Sequence, residues 1–270
     1  MIDQCEIDLL RSLIQSHTGV AQTDLIKRLG GDAAVFQTVI EALERDGYGF
    51  EKSGQKIRLL SEPDAVRPQS IGARLTTHTI GRETYVFKET TSTNDLARRA
   101  GTGNGAEGLV FFAEQQTAGR GTRGRNWVSR PNQGLWFSIL LRSSLPVDRW
   151  PALVQMAALA SADAAEQWIE AAVDIKLPND LVLGGGKLAG FLLETSNVWD
   201  FQVLGIGINV RSAPQIEGYP TSALDDFAKH RVPLTELAAG ILNRFEEWYL
   251  TKTIEAVDRE FKARVERSCS

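Results

Sequence analysis

The chain has 270 residues, with 30 Lys and Arg against 34 Asp and Glu, a formal net charge of −4. A hydrophobic fraction of 43% and a charged fraction of 24% are globular values; they exclude bulk disorder, and the length suggests about two domains. No apolar run reaches the ~18 residues of a membrane-spanning helix, and the acidic start Met1-Ile2-Asp3-Gln4-Cys5-Glu6 lacks the apolar stretch of a signal peptide. A soluble cytoplasmic protein with no membrane contact is expected. Cys5 and Cys269 stand at opposite ends, and His17, His78 and His230 are isolated, which fits neither a disulfide framework nor a metal site.

Residues 1–62 read as a small helical domain. Ile7, Leu10, Leu13 and Ile14 have helical spacing. Residues 23–29 form a short second helix, closed by Gly30-Gly31. Asp32 caps a third helix to about residue 46, with Val35, Val39 and Leu43 facing inward and Gly47 as its stop. Two short strands follow at 48–52 and 56–60. Three helices and a hairpin make a winged helix-turn-helix pattern, or a small interaction domain built on the same core. DNA is a candidate partner, with Lys27, Arg28, Lys52, Lys56 and Arg58 as phosphate contacts. Against it, residues 1–60 hold nine acidic and seven basic side chains, and the third helix sets Glu41, Glu44 and Asp46 against Arg45 alone.

Residues 63–82, with two prolines and little periodicity, read as a linker. From 83 to 270 the pattern is α+β. Strands are expected at 84–88, 108–114, 134–141, 173–176, 181–183, 188–194 and 201–210. Helices are expected at 93–100, 150–170, 234–250 and 254–265. Short links between most strands favour a mixed or antiparallel sheet covered by helices.

Four segments carry chemistry. Gly119-Arg120-Gly121-Thr122-Arg123-Gly124-Arg125 lies within residues 115–147, which hold five arginines and no acid. Glycines let the backbone approach a ligand and guanidiniums fork onto phosphate; an exposed basic loop is the plainer alternative. Gly184-Gly185-Gly186-Lys187 is no P-loop, since Leu188 stands where Ser or Thr is required. It reads as a hairpin turn with Lys187 starting a strand, either a rigid cation beside an anion or a solvated lysine. Ser92-Thr93-Asn94 at a helix start offers groups for a polar, uncharged ligand head, or is an ordinary N-cap. Gly205-Ile206-Gly207-Ile208-Asn209 allows close approach to a strand, or marks a bulge.

In their order and spacing these segments (with AEQQTAGRGTRGRNW at 113–127, GLWFSILLR at 134–142 and KLPNDLVLGGGKLAG at 176–190) resemble the biotin–protein ligases. The N-terminal pattern resembles the bifunctional subclass, which also represses biotin-synthesis genes. The resemblance implies a biotin/lipoate ligase-like catalytic domain, with ATP, Mg²⁺ carried on the nucleotide, and biotin as substrate. The biotin carboxylate attacks the α-phosphate of ATP, and a lysine of a biotin carboxyl carrier protein then attacks biotinyl-5′-AMP. The resemblance places Ser92, Thr93, Asn94, Gln116, Arg120, Gly121, Thr122 and Lys187 around biotin. It places Arg120, Arg123, Arg125, Asn179 and Asn209 around the adenylate, and makes Lys187, Arg120 and Asp180 the catalytic set, with no protein-held metal. It further implies that the arginine loop folds over the adenylate from a mobile state; family ligases often pair through the catalytic sheet, and the sequence leaves a homodimer open. Lys187→Ala is expected to lower adenylate formation strongly and leave the fold intact.

Thr122 stands where the family usually has Arg, and Leu177 where it has Trp. The small C-terminal β-barrel usual in the family is expected to be absent. The alternatives are a non-catalytic biotin-responsive transcriptional regulator, and a lipoate- or octanoyl-type acyl transferase.

Overall fold

The structure, a computed structural model, describes residues 4–267 except 17, 197 and 199; His17, Cys269 and the first three residues lie outside the described residues. It divides into two compact units, Met1–Arg74 and Leu75–Ser270. Among the described residues no helix is long and apolar enough to cross a membrane.

The first unit runs α1 (Gln4–Ile14), β1 (Val20–Ala21), α2 (Gln22–Arg28), α3 (Ala33–Arg45), β2 (Gly49–Ser53), β3 (Lys56–Ser61) and α4 (Pro68–Arg74). The Asp32 carboxylate accepts from Ala34 N at 2.7 Å, which caps α3 as expected. α3 then buries Phe36, Val39, Ile40 and Leu43 against Leu9, Leu10 and Leu13 of α1 and Leu25 of α2. Val35 is exposed, not inward: Phe36, one residue on, takes the core-facing place in the first turn. β2 and β3 form the antiparallel hairpin, with two-residue β1 on its other side; β1 is too short to show alternation.

The segment expected as a linker contains the boundary between the two units and carries a helix of its own. Pro68 starts α4, where its missing N–H is no loss, and Ile71 and Ala73 are buried. Gly72 seats α4 on α1, since a Cβ there would lie 2.8 Å from Ile7 Cδ1. Arg11 donates to Gly72 O at 2.8 Å. Residues 75–82 belong to the second unit, where Glu246 accepts from the backbone N–H groups of His78, Thr79 and Ile80 at 2.6–2.8 Å. Two prolines mimicked a linker because α4 is too short for its periodicity to register.

The second unit runs β4 (Thr84–Thr90), α5 (Thr93–Thr102), β5 (Val110–Gln116), β6 (Gly134–Leu141), α6 (Pro151–Ala165), β7 (Asp174–Lys176), β8 (Asp180–Leu183), β9 (Gly186–Glu194), β10 (Gln202–Asn209), α7 (Leu234–Thr251) and α8 (Ile254–Arg267). The seven strands lie in the order β4-β5-β6-β10-β9-β8-β7. β4 and β5 are parallel, joined through α5, and the other pairs are antiparallel. The sheet is thus mixed, as expected. α6 stops at Ala165, five residues short of the reading. It is Ala-rich and buried around most of its circumference, lying between the sheet and α7 and α8.

The register decides where a cavity can form. Phe111, Ser138 and Gly205 are cross-strand partners, as are Ala113, Trp136, Gly207 and Gly190. Such partners share a face. At one end that face is apolar: α5 lays Ala97 on Phe111, Leu140, Val203 and Phe201. Further along β10 it becomes Gly205 and Gly207, and the missing side chains leave a hollow.

Candidate active site

The hollow is a cavity of about 280 Å³, floored by Gly190, Gly205 and Gly207. Two side chains depend on that floor. A Cβ on Gly205 would collide with Asn94 Oδ1, and one on Gly207 would come within 2.5 Å of the Trp127 ring. Gly205 and Gly207 are two residues apart, about 7 Å along an extended strand, so the Asn94 end and the Trp127 end are distinct subsites.

At the first subsite, α5 begins at Thr93 with Ser92 as N-cap, but the Ser92 side chain makes no cap bond. The hydroxyls and amides bond to one another instead. Thr93 N donates to Gln116 Oε1 at 2.8 Å, and Gln116 Nε2 donates to Ser129 Oγ at 2.7 Å. The single Ser138 hydroxyl donor stands between Thr93 Oγ1 at 2.7 Å and Asn94 Oδ1 at 2.5 Å. The Asn94 oxygen is thereby satisfied and its Nδ2 is not. Asn94 Nδ2, Trp127 Nε1 and Asn209 Oδ1 are buried without a hydrogen-bond partner. A buried polar group left unpaired costs about 1–3 kcal/mol; three on one cavity wall mark a surface shaped for a polar ligand.

At the second subsite, Gly184 and Gly185, both at positive φ (56° and 83°), make a two-residue hairpin turn. Gly186 belongs to the strand rather than to the turn, so Lys187 is the second residue of β9. Its backbone is fixed by Pro220 O, at 2.9 Å from Lys187 N, and by Asn209 Nδ2, at 3.3 Å from Lys187 O. Its ammonium sits 2.7 Å from Asp180 Oδ1 and 5.3 Å from the centre of the Trp127 ring. Tyr219 OH donates to the other Asp180 oxygen at 3.3 Å. Asn179 donates to Phe191 O at 2.6 Å.

The arginine segment continues β5 as a narrow hairpin. Gln116 bridges to Ser129 and Arg120 to Asn126. The tip is a 3-10 turn at Thr122–Gly124 with Arg123 at φ 58°. Thr122 O and Oγ1 accept from Arg125, so Thr122 ties down Arg125. Arg120 is gripped by two carboxylates, Asp95 and Glu194, with N–O distances of 3.0–3.2 Å. The Arg120 hydrogen bond holds the Asp95 carboxyl below its ordinary value, and Asp95 in turn raises the guanidinium.

Of the residues singled out from sequence, Ser92, Thr93, Asn94, Gln116, Arg120, Gly121, Thr122, Arg125, Asn179, Lys187 and Asn209 line this one cavity. Arg123 does not: its left-handed backbone puts it at the hairpin tip. Asp180 lies behind Lys187 rather than on the wall. Sequence reasoning missed Glu194, Ser129, Ser138 and Tyr219, and gave Asp95 and Trp127 no role. Asp95 adjoins the Ser-Thr-Asn signal; the others carry no local signal.

Fold and cavity together describe a mixed-sheet domain with a glycine-floored hollow lined by polar side chains at one end and by Lys187 and Arg120 at the other. The model of the biotin/lipoate A/B protein ligase family matches residues 86–210. The bifunctional ligase/repressor BirA of Bacillus subtilis (strain 168) is 32% identical over 219 residues, 78% of this chain and 67% of that protein. The biotin–[acetyl-CoA-carboxylase] ligase of Mycobacterium tuberculosis is 38% identical over 177 residues, 62% of this chain and 66% of that protein. The crystal structure of a biotin protein ligase from Leishmania major in complex with biotinyl-5-AMP is similar at 27% identity and TM-score 0.61, over 69% of this chain and 82% of that one. The chain belongs to the biotin/lipoate A/B protein ligase family, and within it to the biotin–protein ligases. It spans 58–67% of the length of three curated relatives.

Proposed function

We propose that the chain is an ATP-dependent biotin–protein ligase that forms biotinyl-5′-AMP and passes biotin to a lysine of a biotin carboxyl carrier protein. The observation that carries this reading is the pairing of subsites on one glycine floor. A buried, uncharged donor, Asn94 Nδ2, waits at one end, and the Lys187 ammonium stands beside Gly190 at the other. A ureido head satisfies Asn94; the plain end of an octanoyl or lipoyl chain leaves it unpaired in an apolar contact. That difference favours biotin over the acyl-transferase alternative.

In the first step a carboxylate oxygen of biotin bonds to the α-phosphorus of ATP and pyrophosphate leaves. Lys187, held by the strand and by Asp180, offsets the charge that grows on the phosphoryl oxygens. In the second step the carrier amine bonds to the acyl carbon and AMP leaves. Asp180 orients Lys187 from behind; to take the amine proton it must exchange partners, since Oδ1 faces the ammonium. Mg²⁺ would enter with ATP, held through phosphate and water contacts.

Repressor activity would rest on the first unit, where the basic candidates are largely spoken for. Lys52 pairs with Glu44 at 3.2 Å, Arg58 with Glu51 at 2.9 Å, and Arg28 donates to Ser12 Oγ at 2.9 Å. Weak duplex binding is expected, and a gel shift on the region upstream of the chain's own operon tests it. Ligase activity is tested by mass spectrometry of a carrier domain incubated with the chain, biotin and Mg-ATP. A gain of one biotin, dependent on ATP and on the chain, supports the reading. No gain, with no adenylate in solution, refutes it in favour of the regulator or of another acyl substrate.

A further inference from the structure

We propose that Asp95 and Glu194 form a seat for Arg120, and that an anionic ligand must draw the guanidinium off this seat, so that the two carboxylates set how tightly the acyl-adenylate is held. The inference rests on the functional reading above and deepens it.

The donor count carries the argument. Arginine has five N–H groups. Nε–H goes to Glu194 Oε1 at 3.2 Å. The two hydrogens of Nη2 go to Asp95 Oδ1 and Glu194 Oε1, each at 3.0 Å. One hydrogen of Nη1 goes to Asp95 Oδ2 at 3.0 Å. A single N–H is left for anything in the cavity. Bidentate capture of a carboxylate or phosphate needs two parallel donors, so a seated Arg120 cannot provide it.

The seat is built on three elements: Asp95 in the first turn of α5, Glu194 at the end of β9, and Arg120 on the hairpin. Asp95 also accepts from exposed Arg98 at 3.0 Å and from Thr91 Oγ1 at 3.3 Å, so its carboxylate stays in place when Arg120 leaves. Arg120 holds the Asp95 carboxyl below its ordinary value, so Asp95 is ionised at neutral pH and competes with an incoming anion for the guanidinium. The Arg120 side chain is 36% exposed, which gives it room to turn without moving the hairpin.

The test is calorimetric titration of the full chain with a non-hydrolysable phosphodiester analogue of biotinyl-5′-AMP. Asp95→Asn and Glu194→Gln each remove one charge and keep the shape, and each is expected to tighten binding about three- to fivefold, the scale of one partly exposed ion pair. Arg98→Ala, which strips only the exposed partner, is expected to leave affinity unchanged. In an Arg120→Ala background, adding Asp95→Asn is expected to have no effect, an outcome that a merely structural aspartate would not give. The seat is overturned if both neutralised variants bind equally or more weakly, or if Asp95→Asn has the same effect with and without Arg120. Failure of the wild-type chain to bind the analogue refutes instead the acyl-adenylate reading on which the seat depends.

Discussion

Lys187→Ala separates a structural from a chemical role at the second subsite. The sequence suggested that a lysine at a strand start can be removed without harm to the fold. The structure says otherwise: Lys187 is 2.7 Å from Asp180, and the two side chains are only 17% and 8% exposed. Removing the ammonium leaves a buried carboxylate with one 3.3 Å bond from Tyr219 OH. Stranding one member of a buried pair costs about 3–5 kcal/mol. The lower figure applies because Lys187 retains some solvent, and about 3 kcal/mol lowers the melting temperature of a domain this size by about 6–12 °C. Far-UV circular dichroism melts of the full chain measure it. Lys187→Ala combined with Asp180→Asn removes the stranded charge and is expected to melt above the single variant. Neither variant should form adenylate at more than about 1% of the wild-type rate, read as pyrophosphate release. A single variant that melts within about 2 °C of wild type, or a double variant no more stable than the single, would refute the buried-pair reasoning.

Gly205→Ala places a methyl group against Asn94 Oδ1 and pushes that amide off Ser138; biotin affinity should fall at least about tenfold, for a stability cost of about 1–3 kcal/mol, both visible by calorimetry. The Asp95 carboxyl is depressed in the fold, so its contribution to stability is present above the ordinary aspartate range and is lost as pH falls through the folded value. The stability gap between wild type and Asp95→Asn should therefore be open at pH 7 and close below about pH 4, followed by urea unfolding at each pH. Burial pushes the Tyr48 phenol up to about 12, opposed by its hydrogen bond with Ser70. That raised value stabilises the first unit below about pH 10 and is lost towards pH 12; Tyr48→Phe should flatten the alkaline limb of the melting curve.

What sequence disclosed and what it hid follow the range of the signal. α3, β6, β9, β10 and α7 are strongly patterned and lie within a few residues of their expected bounds. Lys187 and the Asn94 turn were found because glycine pairs and Ser-Thr-Asn runs are local punctuation. α4 was hidden because seven residues are two helical turns, and two prolines outweighed the buried Ile71 and Ala73. Val35 was misplaced because the pattern at 35–36 offers two adjacent apolar residues and only packing chooses between them. Ser138 and Tyr219 gave no signal because each meets its partner across the fold, and Ser129 because it meets Gln116 only once the arginine hairpin closes.

The same limit explains why the segment read as a basic island is not one in space. Between residues 115 and 147 there are five arginines and no acid, which suggested a bare anion trap. In the fold, the Arg120 partners come from 25 residues before it, at Asp95, and 74 after it, at Glu194. Lys187 is likewise matched by Asp180. Arg120 and Lys187 thus each have a carboxylate at hand, while Arg125 leans only on Thr122. Bare cations in a glycine-floored hollow would attract any phosphate in the cell. On the reading proposed above, pre-paired cations favour a ligand that also satisfies Asn94, Trp127 and Asn209, so the paired carboxylates would select for the whole molecule rather than for its charge.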